Sequence, residues 1–169
     1  MSEPVRAILS LGSNLGDREA TLADAVRDID QLDGVELLAV SSMIVTAAIK
    51  PDGVDASAPE YLNLVAEIAT TLEPVALLAQ LNRIELEHGR VREVRWGDRT
   101  LDIDIVTMGG VRVSTDALTL PHPRAAERAF VLVPWLELDP HAELPGIGAV
   151  DALPAAHESV SRYRAEAEK

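Results

Sequence analysis

Arg95–Val106 reads RWGDRTLDIDIV, and the fold turns on its second half. Leu101, Ile103, Ile105 and Val106 have the spacing of a buried β-strand, yet Asp102 and Asp104 sit inside it. Side chains alternate faces along a strand, so the two carboxylates share one face, with Cα atoms about 6.5 Å apart. Like charges that close repel each other unless something positive lies between them. Spacing alone supports two readings equally: the wet face of a half-exposed edge strand, or a cation site. Magnesium fits the second, because it takes one or two carboxylates and leaves its other positions to water and phosphate oxygens.

The residues just upstream favour the cation site. Thirteen of the fifteen basic residues are Arg, and Arg90, Arg92, Arg95 and Arg99 crowd into ten positions immediately before the aspartates. A solvated loop would pair them with Glu87, Glu93 and Asp98 for little gain. Gathered beside a carboxylate pair, they instead suit a polyphosphate, which needs positive charge in the same place. Trp96 stands among them in a chain with only five aromatic residues: Tyr61, Trp96, Phe130, Trp135 and Tyr163. An aliphatic core does not need aromatic volume, so Tyr61 and Phe130 read either as core residues or as platforms for a planar heterocycle.

The rest of the chain narrows the class. At 169 residues it is long enough for one domain with a full core. A net charge of −13 argues against non-specific binding to nucleic acid or an anionic membrane. The absence of cysteine excludes disulfides and thiolate chemistry. No stretch reads as a signal peptide or a membrane span, so a cytoplasmic protein is expected. His88, His141 and His157 lack metal-ligand spacing, and His122 in LPHP is by itself more often structural than catalytic. GSN at Gly12–Asn14 could bring backbone close to a ligand but falls short of a phosphate loop.

Val5–Gly12 is a short apolar run ending in glycine and reads as a buried strand. Asp17 caps a helix over Arg18–Asp30, whose stripe is Leu22, Val26 and Ile29. Val35–Thr46 reads as one strand, residues 47–60 as a long loop, and Tyr61–Leu72 as another strand. Asn63 is an odd residue there on propensity, and it reads either as a contact to a ligand edge or as a side chain facing solvent. Glu73–Gly89 is a helix with Pro74 in its first turn. After the aspartate strand, GGVRVS turns back as a short strand. LPHPRAAERAFVLVPWLELDP then gives a loop, a short helix and an apolar helix. The order β-α-β-β-α-β is ferredoxin-like, an α+β fold with helices on one face of a mainly antiparallel sheet and C-terminal helical additions. Residues 1–150 are expected to form the catalytic domain, and 151–169 a C-terminal helix or tail packed on it or extending from it.

Four segments together, LGSNLGDR, PEYLNLVAEI, GRVREVRWGDRTLDIDIV and LTLPHPRAAERAFVLVPW, resemble the 6-hydroxymethyl-7,8-dihydropterin pyrophosphokinases of folate biosynthesis, in that family's order and spacing. The resemblance runs from about Val5 to Asp139, and R-W-G-x-R-x-x-D-x-D is its most specific part. It implies a monomeric enzyme that moves pyrophosphate from ATP to the pterin hydroxymethyl group and releases AMP. By the same resemblance, Asp102 and Asp104 hold two Mg²⁺ ions, and Arg90 and Arg99 are catalytic-loop arginines. Arg92 and Trp96 belong to the loop that closes over ATP. Asn82, Glu85, Ile105, Thr119, His122 and Arg128 line the nucleotide site. Tyr61 and Phe130 sandwich the pterin, while Asn63, Gly12 and the segment Thr46, Ala47 and Ile49 meet its polar edge. The chain departs from the family at Ala47, Ala48 and Lys50, where a proline turn and glycine are usual. Asp98 replaces a common proline, and Ala117 stands where some members place an arginine. A non-catalytic binding module would not need both aspartates and both loop arginines. A plain interaction domain would not explain Arg, Trp and Asp concentrated together.

Overall fold

β1 (Val5–Ser13) is buried along almost its whole length because it lies between two other strands of one sheet. A computed structural model of the chain describes residues 3–13, 18–46, 49–50, 53–54, 61–88, 101–158 and 160–162, with residues 49–50, 53–54 and 162 described for backbone alone. After β1 come α1 (Arg18–Asp30), β2 (Val35–Val40), β3 (Ile44–Thr46), the small hairpin β4 (Ile49–Lys50) and β5 (Gly53–Val54), β6 (Tyr61–Thr70), α2 (Pro74–Glu87) and β7 (Asp102–Met108). Two more hairpins follow, β8 (Val113–Ser114) with β9 (Thr119–Leu120), and β10 (Glu143–Leu144) with β11 (Gly148–Ala149). α3 (Ala129–Leu138) lies between them, and β12 (Ser161–Arg162) comes last. The main sheet runs β12-β3-β6-β1-β7, with β2 also on β6, and every pairing is antiparallel. Taking β2 and β3 together, that is the ferredoxin-like order, with the first and third strands of the motif in the centre.

Both helices lie within a residue or two of their expected spans. Pro74 stands in the first turn of α2, where its missing N–H costs nothing. α1 spans Arg18–Asp30 and buries Leu22, Ala25 and Ile29. With Leu77, Leu81 and Ile84 of α2, these pack on Leu9 and Leu11 of β1, Leu62, Leu64 and Ile68 of β6, and Ile103 and Ile105 of β7. His88 Nε2 lies 2.9 Å from Asp28 Oδ2, joining the end of α2 to α1.

The C-terminal additions cover the other face of the sheet. Val131, Leu132 and Trp135 of α3 pack on Ile8, Val65 and Val106, together with Val150, Ala155 and Ala156. α3 is apolar nearly all round because it is enclosed on several sides, and Trp135 is a core residue here. The end of the chain, expected as a helix or tail, is over its described residues two 3-10 turns (Val150–Ala152 and Pro154–His157) and the edge strand β12.

One expectation is corrected. Val35–Thr46 is not a single strand: β2 and β3 both pair with β6 but are separated at Ser41–Met43. Ser41 makes the break with its own hydroxyl, which accepts the Val65 N–H at 2.9 Å and donates to the Ser42 carbonyl at 2.9 Å. Serine side chains offer the backbone such an alternative to the ladder. Ser41→Ala therefore leaves the buried Val65 N–H without that acceptor. The expected cost is about 1–3 kcal/mol, read as a lower urea midpoint at unchanged m-value.

Candidate active site

The register of three strands assembles the site. Gly12 lies opposite Asn63 on one side and Asp102 on the other, and Ser10 lies opposite Val65 and Asp104. Residues two apart share a face, so Ile8, Ser10 and Gly12 lie with Val65, Asn63 and Tyr61 and with Val106, Asp104 and Asp102. In each strand the apolar member (Ile8, Val65, Val106) is covered by α3, and the polar members beyond it are left open. The result is a cavity of about 220 Å³, lined by Ser10, Gly12, Thr46, Tyr61, Asn63, Asp102, Asp104, Arg128 and Phe130. A bulge between Ile8 and Leu9 adds Val106 to β7, so that Val106 meets α3 while Met108 returns to the other core beside Ala7.

Gly12 is a requirement of packing. A Cβ there would lie 2.8 Å from Asn63 Oδ1 and 3.4 Å from Tyr61 Cδ1. Its absence lets Asn63, only 5% exposed, point its amide at Thr46, whose Oγ1 accepts from Nδ2 at 2.8 Å. Phe130, at the start of α3, forms another wall, with the Arg128 guanidinium 5.5 Å from its ring centroid. Arg128 Nη1 also stands 3.8 Å from Asp104 Oδ2, and His122 Nε2 stands 4.0 Å from the same oxygen. The Arg128 guanidinium partly offsets the repulsion raised by the aspartate pair.

A second cavity of about 240 Å³ meets the first at Asp104. It runs along Ile103 and Ile105 to Leu78, residues 115–119, His122 and Pro123. The β8–β9 turn forms its outer wall, closed by Thr115 Oγ1, which accepts from Leu118 N–H at 3.1 Å. His122 is placed by its own N–H, which donates to the Val106 carbonyl at 2.8 Å. Burial pushes the His122 pKa below the ordinary histidine value; Asp104 pulls it up, and Arg128 and Arg124 push it down. Nδ1 accepts the Arg124 N–H at 3.1 Å, so the proton of the neutral ring sits on Nε2, facing Asp104.

The residues singled out in the sequence distribute unevenly. Gly12, Thr46, Tyr61, Asn63, Asp102, Asp104, Arg128 and Phe130 line the first cavity, and Asp104, Ile105, Thr119 and His122 the second. Arg128, expected with the nucleotide group, stands in the first cavity beside Phe130. Asn82 and Glu85 line neither. Glu85 is 3% exposed, and its Oε2 accepts the Ile103 N–H at 2.8 Å, bracing the strand that carries the aspartates. Ile49 is described as β4 backbone only, while Ala47, Arg90, Arg92, Trp96 and Arg99 lie outside the described residues. Ser10, Asp116 and Leu118 were missed. Ser10 was in reach, being two residues from Gly12 on the same strand.

The comparisons with known proteins agree on one family. Residues 8–140 match the family described as 7,8-dihydro-6-hydroxymethylpterin-pyrophosphokinase. A Bacillus subtilis (strain 168) protein named 2-amino-4-hydroxy-6-hydroxymethyldihydropteridine pyrophosphokinase is 45% identical over 132 residues, 78% of this chain and 77% of its own. A protein of the same name from Methylorubrum extorquens is 42% identical over 148 residues, covering 88% of this chain and 91% of the relative. Among solved structures, the Plasmodium falciparum HPPK-DHPS crystal structure with pteroate superposes with a TM-score of 0.69 at 12% identity. That match covers 90% of this chain and 42% of the longer one, and it supports the fold alone.

Glu85 gives this geometry a test that needs no ligand. Glu85→Ala removes the acceptor of the buried Ile103 N–H and is expected to cost about 1–3 kcal/mol, read from the urea midpoint. Glu85→Gln keeps an acceptor and is expected to lose less.

Proposed function

The chain belongs to the 7,8-dihydro-6-hydroxymethylpterin-pyrophosphokinase family, and from that premise we propose that its two cavities hold the two substrates, the dihydropterin in the first and ATP in the second. The family's reaction is the pyrophosphokinase step of folate biosynthesis. The observation that carries the division is that the cavities are separate yet share Asp104. A two-substrate transfer needs its reacting atoms held together at such a junction.

In the first cavity Tyr61 and Phe130 offer aromatic faces to a flat ring, while Asn63 and Thr46 offer donors and acceptors to its edge. The ring would enter with its hydroxymethyl group toward Asp104. In the second cavity Ile105 and Leu118 supply apolar contact for a purine, with Thr119 and His122 nearer the phosphates. The neutral His122 donates from Nε2 to a phosphate oxygen, and Arg128 adds charge where the cavities meet. Arg90 and Arg99, with Arg92 and Trp96 beside them in sequence, are proposed to enclose the polyphosphate; Ala47 and Ile49 are proposed at the pterin's edge.

The chemistry follows from the products. The pterin hydroxyl oxygen forms a bond to the β-phosphorus of ATP, the bond from that phosphorus to the α–β bridging oxygen breaks, and AMP leaves. The hydroxyl proton passes to solvent. The chain's part is to align the two substrates and to present donors where charge gathers on the leaving oxygen.

Asp102 and Asp104 fit a pair of Mg²⁺ ions: two carboxylates on one face, both lining the first cavity and Asp104 the second as well, with few other protein ligands near among the described residues. When bound there, magnesium would neutralise phosphate charge and polarise the phosphorus under attack. The protein is proposed to act as a monomer in the cytoplasm. No helix among the described residues is long and apolar enough to cross a membrane.

The deciding experiment incubates the protein with ATP, Mg²⁺ and 6-hydroxymethyl-7,8-dihydropterin, beside a pterin-free control. AMP formed only with pterin, one per pterin consumed, is the expected result; ADP instead would overturn pyrophosphoryl transfer. Asp104→Ala is expected to lower kcat at least about a hundredfold without lowering the melting temperature, since one of two like charges is removed. Gly12→Ala should drive Asn63 and Tyr61 from their places. It is expected to raise the pterin KM about tenfold or more while leaving the ATP KM nearly unchanged, both read from initial rates.

A further inference from the structure

Outside the two cavities, one contact joins the C-terminal end of α3 to the break in the edge of the sheet. The Glu137 carboxylate accepts both donors of Ser42, the backbone N–H at 2.8 Å and the hydroxyl at 2.7 Å, across 95 positions of sequence. Ser42 lies in the Ser41–Met43 gap between β2 and β3, where the ladder with β6 is interrupted. There the chain is otherwise held by the Ser41 backbone and hydroxyl on Val65.

α3 and the β3 segment run between the clamp and the first cavity like two rails. Phe130 and Glu137 are seven residues apart on α3, so they fall on one side of the helix, about 10.5 Å apart along its axis. Ser42 and Thr46 are four residues apart and span at most about 14 Å. Thus Glu137 meets Ser42 at one end of the rails, while at the other Phe130 and Thr46 both line the cavity. Thr46 lies opposite Tyr61 in the ladder and accepts from Asn63. The gap between the Phe130 wall and the Tyr61–Asn63–Thr46 wall therefore depends on how α3 is seated against β3.

We infer that Glu137, acting through Ser42, is a positioning residue for the first cavity: its two hydrogen bonds set the separation of the cavity walls and so the affinity for the flat ring, without touching the ring. The inference rests on the assignment of the dihydropterin to this cavity. It goes beyond that assignment by giving a function to an exposed carboxylate some two helical turns away.

The test measures, by calorimetry on the full chain, binding of 6-hydroxymethyl-7,8-dihydropterin alone and, separately, of α,β-methylene-ATP with Mg²⁺. Glu137→Ala is expected to weaken pterin binding about tenfold, equivalent to about 1.4 kcal/mol. Nucleotide affinity is expected to stay within about twofold, well under that step. Glu137→Gln keeps an oxygen acceptor for the Ser42 N–H and is expected to restore most of the pterin affinity. Ser42→Ala removes only the hydroxyl bond; it guards against a misfolded Glu137→Ala and should shift pterin binding in the same direction by less. A lowered melting temperature with unchanged pterin affinity would overturn the inference, leaving Glu137 a plain stabilising contact. Equal weakening of both ligands would also overturn it. Asn63→Ala separates the two levels of the argument. If it weakens pterin binding while Glu137→Ala does not, only the clamp fails. If neither variant affects pterin binding, the assignment of the cavity fails with it.

Discussion

The pairing register of β1 between β6 and β7 is the constraint on which the rest depends. It puts Gly12 level with Asn63 and Asp102, and Ser10 level with Asp104, so three strands bring their chemistry to one patch. A slip of one residue would turn every one of these side chains to the opposite face, among Leu9, Leu11 and Ile103. Such a slip is unaffordable because both faces are specified. One side must bury nearly continuous aliphatic residues against α1 and α2, and the other must meet α3 with Ile8, Val65 and Val106. The same hydrophobic burial that makes the fold stable therefore fixes the geometry of the polar site.

That arrangement explains how β7, at the edge of the sheet yet packed on both faces, tolerates two carboxylates. α3 covers only part of its face, and β1, β6 and β7 each change from apolar to polar where the cover ends. Asp104 keeps 46% of its side chain exposed and stands near Arg128 and His122, so its charge is neither stranded in an apolar interior nor fully solvated. On the reverse side Glu85 accepts the Ile103 backbone N–H, a buried acid used to hold the strand between the aspartates. One strand is thus gripped by a carboxylate from behind while presenting two in front.

What could be read from the sequence follows from how local each signal is. α1 and α2 were legible because a 3.6-residue stripe, Pro74 and the polar flanks agree. Asp102 and Asp104 were legible because alternation on a strand needs no tertiary knowledge. The break after Val40 was not, since Ser41 interrupts the strand through a hydroxyl that bonds Val65, 24 residues away. Nor was it visible that α3 takes the second face, because a helix apolar nearly all round carries no direction. Glu85 was placed with the nucleotide by resemblance alone, and only the packing of α2 on β7 reveals its bond to Ile103. Arg90, Arg92, Trp96 and Arg99 belong to a segment whose reading still rests on residue type and order.

The overall charge bears on how such a site would work. A chain of net charge −13 repels a polyphosphate at long range. At physiological ionic strength, however, charges more than about 8 Å away are largely screened. What a nucleotide at the proposed site would meet is then set by nearby groups, among the described residues Asp102, Asp104 and Asp116 with Arg128 and His122. Burial disfavours the charged form of His122, which leaves Arg128 as the permanent cation placed against Asp104. Under the proposed function, divalent cations at Asp102 and Asp104 would add the positive charge that a polyphosphate needs there. On the proposed function, the aspartates would admit metal and nucleotide together, and selectivity for a metal-loaded polyphosphate would come from the same two side chains that first set this strand apart.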